Sequence, residues 1–329
     1  MRQFVAVFVD ALRLLRARAL FWITLGISAL AAVLYLSIGF DENGVTFLFG
    51  ASGFESEFLR EGSPLAEMFY LGIFSMIIVN LWLSWIAVIL ALITCAPVFP
   101  EFMAEGSAGV ALSKPISRIK LFFYKYLSGL LFAFLQTGIF CAIVFLAIRL
   151  QVGTWNPSVF WAVPLVVLMF SYLWSVMVAV GVRTRSVMAS VLASLLVWFG
   201  AWIAKTVEEY AWTAAEFGEV PAAQGSMRLT EAEQKGWRDR YSQVSLAYTL
   251  LPKTSDTVNL LQRLVTVQGQ KKFAVSELLN LMATGAPVRD DEVEEALERH
   301  SVGFIIGSSL AFEAVMLAFA GWSFCRRDY

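Results

Sequence analysis

The residues that could do chemistry in this sequence gather in one short polar stretch, Pro100 to Tyr126, reading PEFMAEGSAGVALSKPISRIKLFFYKY. Glu101 and Glu105 open it, small residues follow, and then come Ser113, Lys114, Pro115, Arg118, Lys120 and Lys125. Carboxylates followed by ammonium and guanidinium groups, set between two long apolar runs, can hold a soluble partner against a membrane domain by charge. Nucleotide hydrolysis needs something else: a G-x-x-x-x-G-K-[ST] loop, whose glycines let backbone amides close on the phosphates. The nearest match, Gly109 to Lys114, lacks the second glycine before its lysine and runs into Pro115. The chain is therefore expected to be no enzyme and to bind no cofactor.

A second kind of chemistry is implied by polar residues inside apolar runs. Glu313 lies midway along the run Ser301 to Cys325, where an ionised carboxylate costs on the order of several kcal/mol unless it is solvated or paired. Asn80 and Gln136 fall at similar depth, so these three are the candidate lining of a translocation path. The bland alternative is a glutamate hydrogen-bonded between helices for packing. Metal chemistry is not expected: His300 is the single histidine, whereas zinc wants three or four convergent ligands. His300 reads as a solvated helix end. The acids Asp290, Asp291, Glu292, Glu294, Glu295 and Glu298 lack the glycine turn and alternating ligands of a calcium loop and read as a solvated helix face. Cys95, Cys141 and Cys325 are too far apart in sequence to suggest a disulfide framework or thiolate site. No nucleophile elbow accompanies a histidine, so a catalytic triad finds no footing.

The elements that must position these residues follow from composition. Of 329 residues, 58% are hydrophobic and 16% charged, more apolar surface than one soluble core hides. The expected class is all-α: a polytopic membrane protein with six spans. Residues 1–18 carry Phe4, Phe8, Leu12 and Leu15 largely apart from Arg2, Asp10, Arg13 and Arg16, as in an amphipathic helix lying in the membrane surface. A signal peptide does not fit, because Asp10 and Arg13 break the apolar run. Spans are expected at Ala19–Phe40, Met68–Pro100 with a disturbance at Pro97, Tyr126–Ile148, within Leu150–Val182, at Ser186–Ala204 and at Ser301–Cys325. Domains 1–18, 19–205 with its loop 100–125, 206–300 and 301–329 follow. Tryptophans near span ends read as interfacial anchors.

Basic residues set the orientation. Arg2, Arg13, Arg16, Arg18, Lys114, Arg118, Lys120, Lys125, Arg183, Arg185, Arg326 and Arg327 fall on one side of a six-span plan, against Arg60 and Arg149 in the short loops opposite. Both termini are thus expected in the cytoplasm. The segment 206–300 then lies outside and reads as helices: Thr230 with Glu233 matches a capping box, and Leu260, Leu261, Leu264, Val265 and Val267 read as lying along the outer membrane surface.

The run Leu112-Ser113-Lys114-Pro115-Ile116-Ser117-Arg118, with Lys125 after it, resembles the first cytoplasmic connection of type-two ATP-binding-cassette (ABC) exporter permeases. The amphipathic start, the six spans and Arg326-Arg327-Asp328 beyond the last span are similar to the same family. Its members usually have a shorter outer connection than 206–300, often with re-entrant helices; only Leu250-Leu251-Pro252 to Leu261 looks like that region. The resemblance implies an inner-membrane permease with a separate cytoplasmic ABC ATPase and a second permease copy or homologue as partners. It further implies that Glu101, Glu105, Lys114 and Arg118, with Arg183 and Arg185 from the short fourth-to-fifth loop, dock the ATPase through a coupling helix. The bilayer is the other expected partner, an extracytoplasmic partner could bind 206–300, and no nucleic acid is expected. A rival expectation is an ATPase-coupled assembly or signalling module that moves its outer domain without transporting anything.

Overall fold

The computed structural model describes residues 16–17, 19–56, 58–103, 117–222, 225–265 and 299–326. The expected surface helix over 1–18, the run around Ser113 to Pro115 including Lys114, Glu105, and the acidic helix from Asp290 all lie outside the described residues, apart from Arg16 and Ala17.

Among the described residues six helices are long and apolar enough to cross a bilayer. The first is α1 (Ala19–Leu36). The second is composite: α2 (Pro64–Ile73), a π-helix (Phe74–Ile86), α3 (Ala87–Cys95) and the short α4 (Val98–Phe102). Then come α5 (Arg118–Val152), α6 (Ala162–Thr184) after a 3₁₀ turn (Pro157–Trp161), α7 (Val187–Glu216) and finally α10 (Val302–Cys325). Between α7 and α10 the described chain forms α8 (Glu231–Thr249) and α9 (Thr254–Leu264).

Local chemistry accounts for the boundaries. Ser63, Ser186 and Ser301 cap α2, α7 and α10 by accepting the amides of Ala66, Ala189 and Phe304. Pro97, which has no N–H to give, separates α3 from α4. Gly153 ends α5 at φ 76°, and Arg185 ends α6 in the same left-handed region at φ 57°. At about 1.5 Å per residue α5 and α7 are well over the ~30 Å apolar thickness, so each projects from it. That is why α5 begins at Arg118 rather than at Tyr126: its basic first turns are helical but lie beyond the apolar zone.

Two small antiparallel sheets were not expected. β1 (Gly39–Asp41), β2 (Gly44–Phe47) and β3 (Ser52–Glu55) follow α1 in the order β1-β2-β3, and β4 (Glu219–Ala222) pairs with β5 (Gly225–Arg228) between α7 and α8. Gly44 sits at φ 143°, where a Cβ would stand 2.3 Å from the Phe54 carbonyl oxygen, so the first hairpin requires glycine there.

The core lies along α6, whose residues are buried on almost every side, from Ala162 to Val182. Trp174 fills the space over Gly129 of α5: a Cβ at Gly129 would be 2.8 Å from the indole. Close backbone approach at a small residue is a common way to pack helices in a bilayer, where helices gain little from hydrophobic transfer. The indole N–H then donates to the Tyr126 carbonyl at 3.2 Å.

Candidate functional site

The sequence points to one end of this bundle first. Arg118 opens α5 and its Nη1 donates to the Cys325 carbonyl at the end of α10, 3.1 Å away. Phe99 of α4 packs on Phe122 (5.4 Å between ring centroids) and Trp174 (5.9 Å), and Phe102 lies 6.2 Å from Phe324. Phe122 and Phe324 are 5.7 Å apart, and the Lys125 ammonium stands 4.7 Å over the Phe102 ring. Pro100 meets Gly181, where an added Cβ would be 3.4 Å from the proline ring. An aromatic clamp thus locks the ends of the second, third, fourth and sixth spans together. Glu101, Arg118, Arg183 and Arg185 are all exposed around that clamp. Glu105 and Lys114 lie outside the described residues.

The three residues expected along a path occupy three separate seams. Gln136 of α5 donates to Ser28 Oγ of α1 at 3.0 Å and to the Ala87 carbonyl at 3.3 Å. Asn80, on the π-helix, accepts from Gln262 of α9. Glu313 of α10 accepts from Tyr126 OH (2.6 Å) through one oxygen and from Ser171 Oγ (2.7 Å) through the other. Glu313 therefore bridges three spans through hydrogen bonds.

The opposite end holds a buried charge cluster that the sequence did not announce. Lys205 of α7 pairs with Asp256 of α9 at 2.8 Å, with Glu209 at 3.2 Å and with Glu208 at 3.9 Å, and its side chain is 5% exposed. Glu208, fully buried, also takes the Arg299 guanidinium and the Tyr241 hydroxyl, and His300 Nε2 stands 3.8 Å from it. Arg299 lies 4.4 Å over Trp212, and the His300 ring stacks between Tyr248 and Phe304. His300 is thus part of a buried cluster rather than a solvated helix end. Burial and the Asp256 carboxylate, which accepts from its hydroxyl at 2.6 Å, push the Tyr248 phenol well above its usual range. Lys253, 0% exposed, donates through Nζ to the carbonyls of Tyr248 and Leu251, and burial pulls its ammonium down to about 8.

This cluster fixes α9. Leu260, Leu261 and Val265 are buried, and α9 packs on α6, α7, α10 and the π-helix. Of the stripe read as lying along the membrane surface, Leu260, Leu261 and Val265 instead sit inside the bundle, Leu264 is exposed and Val267 lies outside the described residues; Lys205, Tyr248 and Ser309 meet polar groups of α9 and the turn before it, the Ser309 hydroxyl accepting the Lys253 amide at 2.9 Å. The signal for this was available only in part: Lys205 ends an apolar run, yet its partner is 51 residues away. Among the described residues no group of three or more His, Cys, Asp or Glu side chains is placed to hold a metal ion.

Six apolar spans among the described residues, with polar groups tied off within helix seams, are those of a multi-pass membrane protein. Residues 13–329 match the ABC-2 family transporter protein, and the chain belongs to that family: it is the membrane-spanning permease type of subunit, whose family implies an ABC ATPase as partner. No curated protein and no solved structure matches the chain.

Proposed function

We propose that this chain is the permease of an ABC exporter in the cytoplasmic (inner) membrane, with both termini in the cytoplasm and a second permease copy or homologue beside it. A separate cytoplasmic ATPase docks at the Arg118 end, on Glu101, Glu105, Lys114 and Arg118 and on Arg183 and Arg185. The aromatic clamp around Phe102, Phe122 and Phe324 is the observation that carries this reading. A load applied to the loop between α4 and α5 cannot move one span alone; it turns the second, third, fourth and sixth together, which is what coupling to a nucleotide-driven subunit needs. Substrate then moves along seams that these rotations open, and Glu313, Asn80 and Gln136 are the polar groups such an opening would expose.

A rival reading, a module that moves its outer segment without transport, draws on the charge cluster that bolts α8 and α9 to α7. Co-purification of the ATPase with the full chain tests the first claim: Arg118→Glu with Arg183→Glu should cut the yield of complex, whereas an unchanged yield overturns docking at this end. ATP-dependent uptake into inverted vesicles, present or absent, then separates transport from movement alone.

A further inference from the structure

The second span carries a groove that neither coupling nor a central path uses. Its walls are Phe58, Leu59, Leu65, Phe69, Gly72, Ile73, Met76 and Ile77, all apolar, around a volume of ≈ 620 Å³. That volume is in the range of small-molecule sites. Leu65, Phe69 and Ile77 are exposed, as is Phe58 at 71%, so the groove opens on the surface that faces lipid. From Leu65 to Ile77 it runs about 18 Å along the span. Half of a ~30 Å hydrocarbon core is about 15 Å, so its length is that of one leaflet. Gly72 forms the floor: a Cβ there would meet nothing within 4 Å. Arg60, exposed, follows Leu59 directly in the chain and is the single basic residue between Asp41 and Glu67.

We infer that this groove holds one acyl chain of a phospholipid from the leaflet at the Arg60 end, with Arg60 meeting the lipid phosphate. A bilayer supplies the occupant along the whole lipid-facing surface. What marks this place is the space of ≈ 620 Å³ between Phe58, Leu59 and the α2 face, lined by apolar side chains and open to lipid along its length. Contact area removed from solvent-like lipid is small in effect, but packing contacts count individually at about 0.1–0.2 kcal/mol each, and a groove multiplies them. Phe58 and Leu59 reach the groove from the loop that follows β3, so an occupied groove also ties that loop to the span. This site stands independently of the ATPase docking proposed above.

The test uses the full chain in nanodiscs of phosphatidylethanolamine and phosphatidylglycerol containing a phosphatidylethanolamine with a photoactivatable acyl chain, and maps the labelled peptides. Label should concentrate on Phe69 to Ile77. Gly72→Phe fills the floor without a backbone clash and should lower that label about tenfold, the equivalent of losing about ten such packing contacts; Gly72→Ala should leave most of it. Arg60→Ala should give a smaller reduction. Thermal unfolding of Gly72→Phe should match the parent, since glycine in a helix is replaced by a better helix former. Label spread evenly over α1, α2 and α7 and unchanged by Gly72→Phe would overturn the inference. So would efficient disulfide formation between copies through Met76→Cys, which would make the groove an interface between permease chains.

Discussion

Replacing Asp256 by asparagine should release α9 from the bundle. The carboxylate stands 2.8 Å from Lys205, with side chains 3% and 5% exposed, and it also accepts from Tyr248 OH. Removing one partner of a buried pair costs about 3–5 kcal/mol, because the other charge is left uncompensated. Lys205 keeps the exposed Glu209 at 3.2 Å and the buried Glu208 at 3.9 Å, so its charge is partly compensated and the expected loss is near the lower bound, about 3 kcal/mol. At about 1.4 kcal/mol per decade this multiplies the open population of α9 roughly a hundredfold. The readout is maleimide labelling of a Thr257→Cys reporter, buried in the closed state. Cys95 and Cys141 are buried and Cys325 is replaced by serine. Labelling within about threefold of the parent would refute the idea that this pair holds α9. Lys205→Met combined with Asp256→Leu should be less damaging than either single removal, since no charge is then stranded.

Gly129→Val should lower thermal stability by about 1–3 kcal/mol, because its Cβ would collide with the Trp174 indole; equal stability in a thermal scan would show that α5 and α6 can move apart freely. Glu313→Gln should be nearly neutral in the same scan, while Glu313→Leu should cost about 1 kcal/mol, since Tyr126 and Ser171 fall back on the carbonyls of Ser171 and Leu168 at 3.2 and 2.8 Å. The Glu233 carboxyl is held below its ordinary range by the Thr230 hydroxyl and amide. Its contribution to the start of α8 is therefore present above the unfolded value of 4.5 and is lost as pH falls through the lower folded value. Protection of the first-turn amides of α8, corrected for intrinsic exchange, should fall on acidification in the parent and show no such added fall in Glu233→Gln, which cannot titrate.

Much of this architecture could be read from the sequence because bilayer thickness imposes long uncharged runs, and such runs are visible without any partner. The capping box at Thr230 and Glu233 was legible for the same reason: both members lie within one turn. The charge cluster was not, since Glu208 meets Arg299 and His300 across about ninety residues and nothing local marks the pairing. Likewise the stripe on α9 announces an apolar face without saying what covers it. The β1–β2 hairpin left a signal in Asn43-Gly44, turn-favouring residues at the point where the chain reverses between Asp41 and its partner Gly44. The clamp at Phe102, Phe122 and Phe324 was hidden because every apolar run here is rich in phenylalanine.

Site-specific crosslinking bears most directly on which end of the bundle receives the ATPase. Single cysteines at Glu101 and Arg185, at one end, and at Ser242 of α8, at the other, would be placed in the full chain co-expressed with its ATPase and treated with a short bifunctional maleimide. Adducts with the ATPase from Glu101→Cys and Arg185→Cys, and none from Ser242→Cys, are the predicted result. Adducts from Ser242→Cys with none from the other two would contradict the account.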